Sequence, residues 1–296
     1  MPTSERNISQ LIEGGRRLLR QSGITRYALD AELLLATVLD CDRSYLIAHC
    51  GDMLTEAQQE HYQELLQCRA LGTPIQHIRG SQEFWGRDFV VNADVLIPRP
   101  ETELLIEKAL QLTQNSHLQE KKGVLIADIG TGSGCLAVTL AAEIRGARVY
   151  ATDISLEAVQ VAQENASRHG VYDLIQFLCG NAGTPLLQAC GPDSFDLVVS
   201  NPPYGSEKNP QLFENEVLQF EPRRALFGGW EGTETLEKVI TQTQELLAVR
   251  GFLLLEIGIG QSAKVKSFLG KGWSVPEIFP DLQGIPRVVL CRKEHR

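Results

Sequence analysis

From residue 124 onward, short apolar runs alternate with segments of helical periodicity. No other feature constrains the fold as much. The pattern predicts strands over 124–128, 148–152, 175–178, 195–200, 252–257 and 288–291, and helices over 135–144, 156–169, 235–247 and 262–269. Parallel strands need long crossover connections, and helices supply them. The expected fold class is therefore α/β, a Rossmann-like and mostly parallel sheet covered on both faces. Ligands of such sheets bind outside the carboxyl ends of the strands.

The part before this alternation reads differently. Leu11, Leu18 and Leu19 keep helical spacing, as do Leu33, Leu34, Val38 and Leu39. Thr55 with Gln58 three places on is a capping-box pattern, and Gly72-Thr73-Pro74 stops the helix it opens. This predicts a small helical domain over 1–72. A hairpin linker over 73–100 follows, with its turn at Gly86-Arg87-Asp88. The sheet domain takes 101–296, entered through Pro98 and Pro100 and a helix over 102–113.

Charge narrows the partners. The 296 residues carry 28 Lys+Arg and 37 Asp+Glu, a net charge of −9. No Lys precedes Lys108, and up to Pro100 there are 10 Arg against 13 acids. That is no basic nucleic-acid arm, and no direct nucleic-acid partner is expected. No apolar run approaches the roughly 18–20 residues of a membrane span, and the polar start is no secretory signal. The seven Cys are irregularly spaced without a Cys-x-x-Cys, and no His-x-x-x-His occurs. The expectation is reduced thiols, no metal site and a cytoplasmic monomer.

The run Ile126-Ala127-Asp128-Ile129-Gly130-Thr131-Gly132-Ser133-Gly134-Cys135 reads as strand, glycine-rich turn and helix start. Glycines let a backbone approach a ligand closely. Asp153, about 20 residues on at the end of the next strand, is placed to hold ribose hydroxyls. An adenosine-containing ligand is implied. The glycines do not choose it: Gly132-x-Gly134-x-x-Ala137 also satisfies the relaxed dinucleotide pattern.

Asn201-Pro202-Pro203-Tyr204 decides between them. It follows the strand over 195–200, on the ligand edge of the same sheet. An amide nitrogen is a poor nucleophile because its lone pair is delocalised. The Asn201 side-chain oxygen and the Pro202 carbonyl can accept its two hydrogens and aim the nitrogen at an incoming methyl group. Orientation of this kind supplies up to roughly 7–11 kcal/mol. Tyr204 would wall a planar target by stacking.

These elements resemble a class I S-adenosylmethionine-dependent methyltransferase. Longer phrases narrow the resemblance: Glu83-Phe84-Trp85-Gly86, Leu96-Ile97-Pro98-Arg99-Pro100-Glu101-Thr102-Glu103, Phe220-Glu221-Pro222 and Leu255-Glu256-Ile257-Gly258. They are similar to the peptide chain release factor glutamine methyltransferases, the HemK/PrmC family, over residues 10–291. The resemblance implies methyl transfer to the side-chain amide of the glutamine in the Gly-Gly-Gln motif of class I release factors. It implies that Gly130, Thr131, Gly132, Ser133 and Gly134 line the methionine part of the cofactor and Asp153 its ribose. Asn181 would bond the adenine amine, with no aromatic beside it to stack. Asn201, Pro202, Pro203 and Tyr204 would hold the glutamine, with Asn201 also reaching the cofactor and Asn201, Pro202 and Tyr204 serving catalysis. The helical domain would contact the release factor. Asn-Pro-Pro-Tyr alone is shared with adenine and guanine amino-methyltransferases, which leaves a nucleic-acid substrate as the alternative. Arg99, Glu101 and Glu103 either line the pocket mouth or pair and cap a helix, and Glu256 supports the site or caps its strand. The connection over 205–232 is expected to be a lid.

Overall fold

The computed structural model describes residues 6–295; residues 1–5 and 296, at the ends of the expected first and last domains, lie outside the described residues. The chain divides into two compact units. The first runs to Gly80 and takes in Asn215–Phe220 from far along the chain. Its helices are α1 (Ile8–Gln21), α2 (Tyr27–Leu39), α3 (Arg43–Ala48), α4 (Glu56–Ala70) and α5 (Ile75–Arg79). Asn7 and Thr55 cap α1 and α4 with complete capping boxes, through Gln10 and Gln58. Each such cap stabilises a helix by about 1 kcal/mol.

The apolar positions of these helices close on one core around Leu11, Leu19, Leu34, Leu35 and Leu66. Burial of a leucine is worth roughly 1.5–3 kcal/mol. The Tyr62 hydroxyl sits in this core and donates to the Ala31 carbonyl at 3.0 Å. A Cβ at Gly15 would lie 2.3 Å from that hydroxyl, so glycine is what lets α1 meet α4 there. Buried Arg69 donates to Asp30 at 2.8 Å, to Glu216 at 2.9 Å and to the Thr73 carbonyl at 2.9 Å. Buried charges persist only when paired in this way.

The second unit opens with a hairpin, β1 (Ser81–Phe84) and β2 (Arg87–Val90). Its turn is Trp85-Gly86 rather than Gly86-Arg87-Asp88, because Arg87 and Asp88 pair within the ladder with Phe84 and Glu83. Trp85 takes φ of 53° and Gly86 of 69°, as a two-residue primed turn demands. A tryptophan there is strained, and two carboxylates offset the strain. The Trp85 N–H donates to Glu103 at 2.8 Å, and the Gly86 N–H to Glu83 at 2.6 Å. Glu103 opens α6 (Glu103–Asn115), after a 3-10 turn over Pro100–Thr102.

The sheet follows: β3 (Leu125–Ile129), β4 (Arg148–Asp153), β5 (Ile175–Cys179), β6 (Phe195–Ser200), β7 (Leu247–Glu256), β8 (Glu277–Pro280) and β9 (Pro286–Arg292). Its order is β5-β4-β3-β6-β7-β9-β8. The first five strands are parallel; β9 runs antiparallel between β7 and β8. The helices are α7 (Cys135–Glu143), α8 (Leu156–Arg168), α9 (Thr184–Cys190), α10 (Asn215–Phe220, of the first unit), α11 (Arg223–Leu226), α12 (Glu234–Leu246) and α13 (Ser262–Phe268).

Period-2 alternation divides the strands between two cores. Ile126, Leu197 and Leu254 face Leu105, Leu136 and Leu140 of α6 and α7. Ala127, Val198 and Leu253 face Leu236, Ile240 and Val265 of α12 and α13. Covered on both faces, β6 is buried throughout. The strand order reverses at β3 and β6, where such sheets form a ligand crevice.

Candidate active site

Two loops leave the carboxyl ends of neighbouring strands. Their bases are joined: the Ser200 hydroxyl, at the end of β6, donates to the Ile129 carbonyl at the end of β3, at 2.6 Å. The first loop is Gly130–Gly134. The N–H groups of Gly130 and Thr131 both donate to the Thr152 carbonyl of β4 at 2.8 Å. Asp153 pins the crest of the loop, accepting from the Gly132 N–H at 2.9 Å and, through its other oxygen, from the Ser155 N–H at 2.9 Å. Beneath the loop lies Asp128, fully buried, which accepts from the Thr131 hydroxyl at 2.7 Å. Burial pushes its carboxyl up to about 7, the charge of Asp153 adds to this, and the Thr131 hydrogen bond opposes it.

A Cβ at Gly130 or Gly132 would meet nothing within 4 Å, so ligand atoms can approach this backbone closely. Gly134 has another part. At φ of 81° a Cβ there would lie 2.9 Å from the Ala162 Cβ, so it packs α7 on α8 and lies off the cavity.

The cavity over these loops has a volume of about 300 Å³. Asp153, Ile154, Asn181 and Ala182 line one part of it, and Gly130, Thr131, Gly132 and Ser133 another. Asn201, Pro202 and Pro203, after β6, line it too, with Arg99, Thr102 and Phe227. An extended ligand that joins an adenosine to a short charged chain fits this run. Asp153 and Asn181 supply acceptors at one end, and the glycine backbone leaves open space for ligand atoms in the middle. Cys135 is also at the wall, but burial pushes its thiol up to about 12, which removes it as a nucleophile.

The second loop is Asn201–Tyr204. Its backbone is cradled by the returning connection. The Gly205 N–H donates to the Leu226 carbonyl at 2.8 Å, and a Cβ at Gly228 would lie 2.3 Å from the Pro203 carbonyl. Gln261 latches the same loop, donating to the carbonyls of Tyr204 and Gly232 at 2.9 Å each. The connection over 205–232 is thus largely folded: its α11 and Phe227 form part of the cavity wall.

Tyr204 does not line the cavity. Its ring packs against the α12/α13 core, and its hydroxyl donates to Glu256 at 3.4 Å. The aromatic of the cavity wall is Phe227, which the sequence reading left in the lid. Arg99 both lines the cavity and pairs with buried Glu221, which also accepts from the Ile97 N–H at 3.1 Å. Two sequence phrases 122 residues apart are thereby locked together. Glu103 serves the hairpin turn. Thr102, read only as the start of a helix, touches both Asn201 and Glu256. No local pattern could have revealed contacts at such separations.

Residues 10–80 match the PrmC N-terminal domain, and residues 107–222 match the methyltransferase small domain. A release factor glutamine methyltransferase of Koribacter versatilis is 41% identical over 97% of this chain and 98% of its own. One of Nitratidesulfovibrio vulgaris is 37% identical over 98% and 97%. The chain belongs to the release factor glutamine methyltransferase family. A bifunctional methyltransferase of Rickettsia prowazekii is 34% identical over 96% of this chain, which spans 57% of that protein. Among solved structures, the hMettl16 catalytic domain in complex with MAT2A 3'UTR hairpin 1 superposes with a TM-score of 0.56 at 20% identity, over 78% of this chain and 81% of that one. The human methyltransferase 10 domain containing protein gives 0.52 at 20% identity, over 79% and 98%. These likenesses show the class I methyltransferase fold. Among the described residues no helix is long and apolar enough to cross a membrane.

Proposed function

We propose that this release factor glutamine methyltransferase family member transfers the methyl group of S-adenosylmethionine to the side-chain amide nitrogen of the glutamine in the Gly-Gly-Gln motif of a class I peptide chain release factor. One observation carries the reading: the cavity that begins at Asp153 ends at an asparagine whose Oδ1 accepts no hydrogen bond from the described residues. When bound, S-adenosylmethionine supplies an electrophilic methyl group on a sulfonium.

The chain's residues do the rest. Asp153 accepts from ribose hydroxyls while it keeps the Gly132 loop in place. Ile154, 58% exposed, offers an apolar face to the adenine ring, and Asn181 bonds the adenine amine. Gly130–Ser133 present backbone to the methionine part. Asn201 Oδ1 and the Pro202 carbonyl accept the two hydrogens of the glutamine amide, which aims the nitrogen's developing lone pair along the cavity. Phe227 takes the walling role expected of Tyr204. The nitrogen's proton becomes acidic as the N–C bond forms, so no strong base is required. The helical first unit contacts the release factor; Tyr45 and Ile47 of α3, 42% and 76% exposed, are apolar groups offered to it.

Labelled S-adenosylmethionine, incubated with the protein and a purified release factor, tests this. Label is expected on the Gly-Gly-Gln glutamine and absent from a release factor with glutamate there. Label on nucleic acid instead would overturn the reading.

A further inference from the structure

Asn201 can work as an acceptor only if its amide is turned the right way. An asparagine side chain is nearly symmetric in shape, so packing alone does not choose between oxygen and nitrogen. We propose that Thr102 and the Glu256 carboxylate are positioning residues that fix this choice, through a one-way hydrogen-bond chain that holds the Asn201 nitrogen inward and leaves its oxygen to the substrate amide.

The geometry is a line of three groups. Asn201 Nδ2 donates to Thr102 Oγ1 at 3.0 Å. Thr102 Oγ1 donates to Glu256 Oε2 at 2.8 Å. Thr102 and Glu256 are buried, so water does not compete. A carboxylate only accepts, and a hydroxyl has one proton to give. Glu256 therefore takes the Thr102 proton. The hydroxyl oxygen can then only accept from Asn201, and the atom facing it must be the amide nitrogen. A neutral Glu256 allows the chain to run backwards with almost the same heavy-atom positions. Glu256 then donates to Thr102, Thr102 donates to Asn201 Oδ1, and an N–H faces the glutamine nitrogen. Donor would meet donor.

The direction thus rests on the charge of Glu256. Among the described residues, the titratable or charged groups that act on it or feel it are Tyr204 after β6, Arg287 on β9, Glu101 before α6 and Cys135 on α7. Burial pushes the carboxyl up to about 7; the Thr102 hydrogen bond, Arg287 and Tyr204 oppose this, and Glu101 adds to it. The productive sense is therefore enforced while Glu256 is charged, and that enforcement is released as pH falls through about 7.

The inference rests on the reading that a glutamine amide meets Asn201, and two measurements keep the failures apart. The first is single-turnover methyl transfer to a release factor at saturating S-adenosylmethionine. Loss of a direct stabilising donor costs about 10²–10³ in kcat; a group acting through another is expected to cost roughly ten- to a hundredfold. Thr102→Val is expected to lose that much in kcat with KM within about threefold, and Thr102→Ser to recover most of it. Glu256→Gln is expected to lose as much and to abolish the wild-type rise of kcat through about pH 7. The second is NMR of the Asn201 side-chain NH2 in the protein without substrate. Slow proton exchange is expected in wild type and Thr102→Ser, and fast exchange in Thr102→Val. Wild-type transfer or wild-type exchange in Thr102→Val overturns the inference. If wild type does not methylate the release factor, the functional reading falls, and the exchange measurement still decides the chain.

Discussion

Asp153 and Gly132 are joined across the cofactor end of the cavity: the Gly132 N–H donates to Asp153 Oδ2 at 2.9 Å. One carboxylate thus shapes the glycine loop and is the group proposed to hold the ribose. We predict that Asp153→Ala lowers S-adenosylmethionine affinity by roughly ten- to a hundredfold, since each hydrogen bond to a charged group is worth about 1.5–3 kcal/mol. Asp153→Asn keeps an acceptor and should fall between. Calorimetric titration measures both; unchanged affinity in the alanine variant would remove Asp153 from the site.

A stability prediction concerns the first unit. Arg69→Ala strands Asp30, only 2% exposed, without its cation. Breaking a buried pair in this way costs about 3–5 kcal/mol. Glu216→Gln should cost far less, because that side chain is about a third exposed. Urea unfolding of the full chain reads both. Equal midpoints for Arg69→Ala and wild type would show that the triad contributes nothing.

Much of the fold was legible because buried strands write themselves as apolar runs. Phe195–Ser200 is found with the expected bounds, and the Thr55–Gln58 box opens α4 as read. β8 escaped notice: it is four residues long, at the sheet edge, and ends in Pro280. The hairpin turn was misplaced by one residue, because φ above 0° on Trp85 is tolerable only with Glu103 and Glu83 to catch the two turn N–H groups, and Glu103 is 18 residues away. That Asp153 ends β4 and Asn201 follows β6 was legible from the strand pattern. The direction of Tyr204 was not, since it depends on the path of the loop after Pro203. Nor was the pairing of Thr102 and Glu256, which are 154 residues apart.

Two buried acids make an unusual pH dependence of stability. Asp128 and Glu256 are each raised to about 7 from ordinary values of 3.8 and 4.5, first by burial. A raised carboxyl binds its proton more tightly in the folded state. Its contribution is fully present below the unfolded value and is lost as pH rises through about 7. Wild type is expected to lose on the order of 1–4 kcal/mol per group between about pH 5 and 8. Asp128→Asn and Glu256→Gln together should flatten that fall. Chemical unfolding across this range, with a double variant that tracks wild type, would contradict the assignment.

Gly228 is predicted to matter for turnover although it bears no side chain. A Cβ there would sit 2.3 Å from the Pro203 carbonyl, so Gly228→Ala must displace the Asn201–Tyr204 loop. The expected result is a kcat reduced at least tenfold with S-adenosylmethionine affinity unchanged, since misplaced reacting groups lose rate steeply. A wild-type kcat would mean that the loop position is not critical.

The central claim is that Asn201 holds the nitrogen that accepts the methyl group. Single-turnover transfer of labelled methyl from saturating S-adenosylmethionine to a release factor tests it most directly, in wild type, Asn201→Ala and Asn201→Asp. Removal of an interaction made mainly in the transition state lowers kcat rather than only raising KM. Asn201→Ala is expected to lose at least about a hundredfold in rate while cofactor affinity stays at the wild-type level. Asn201→Asp keeps an acceptor oxygen and should retain part of the rate. Near-wild-type transfer by Asn201→Ala would contradict the account: the loop would be a structural turn, and the glutamine nitrogen would be held elsewhere.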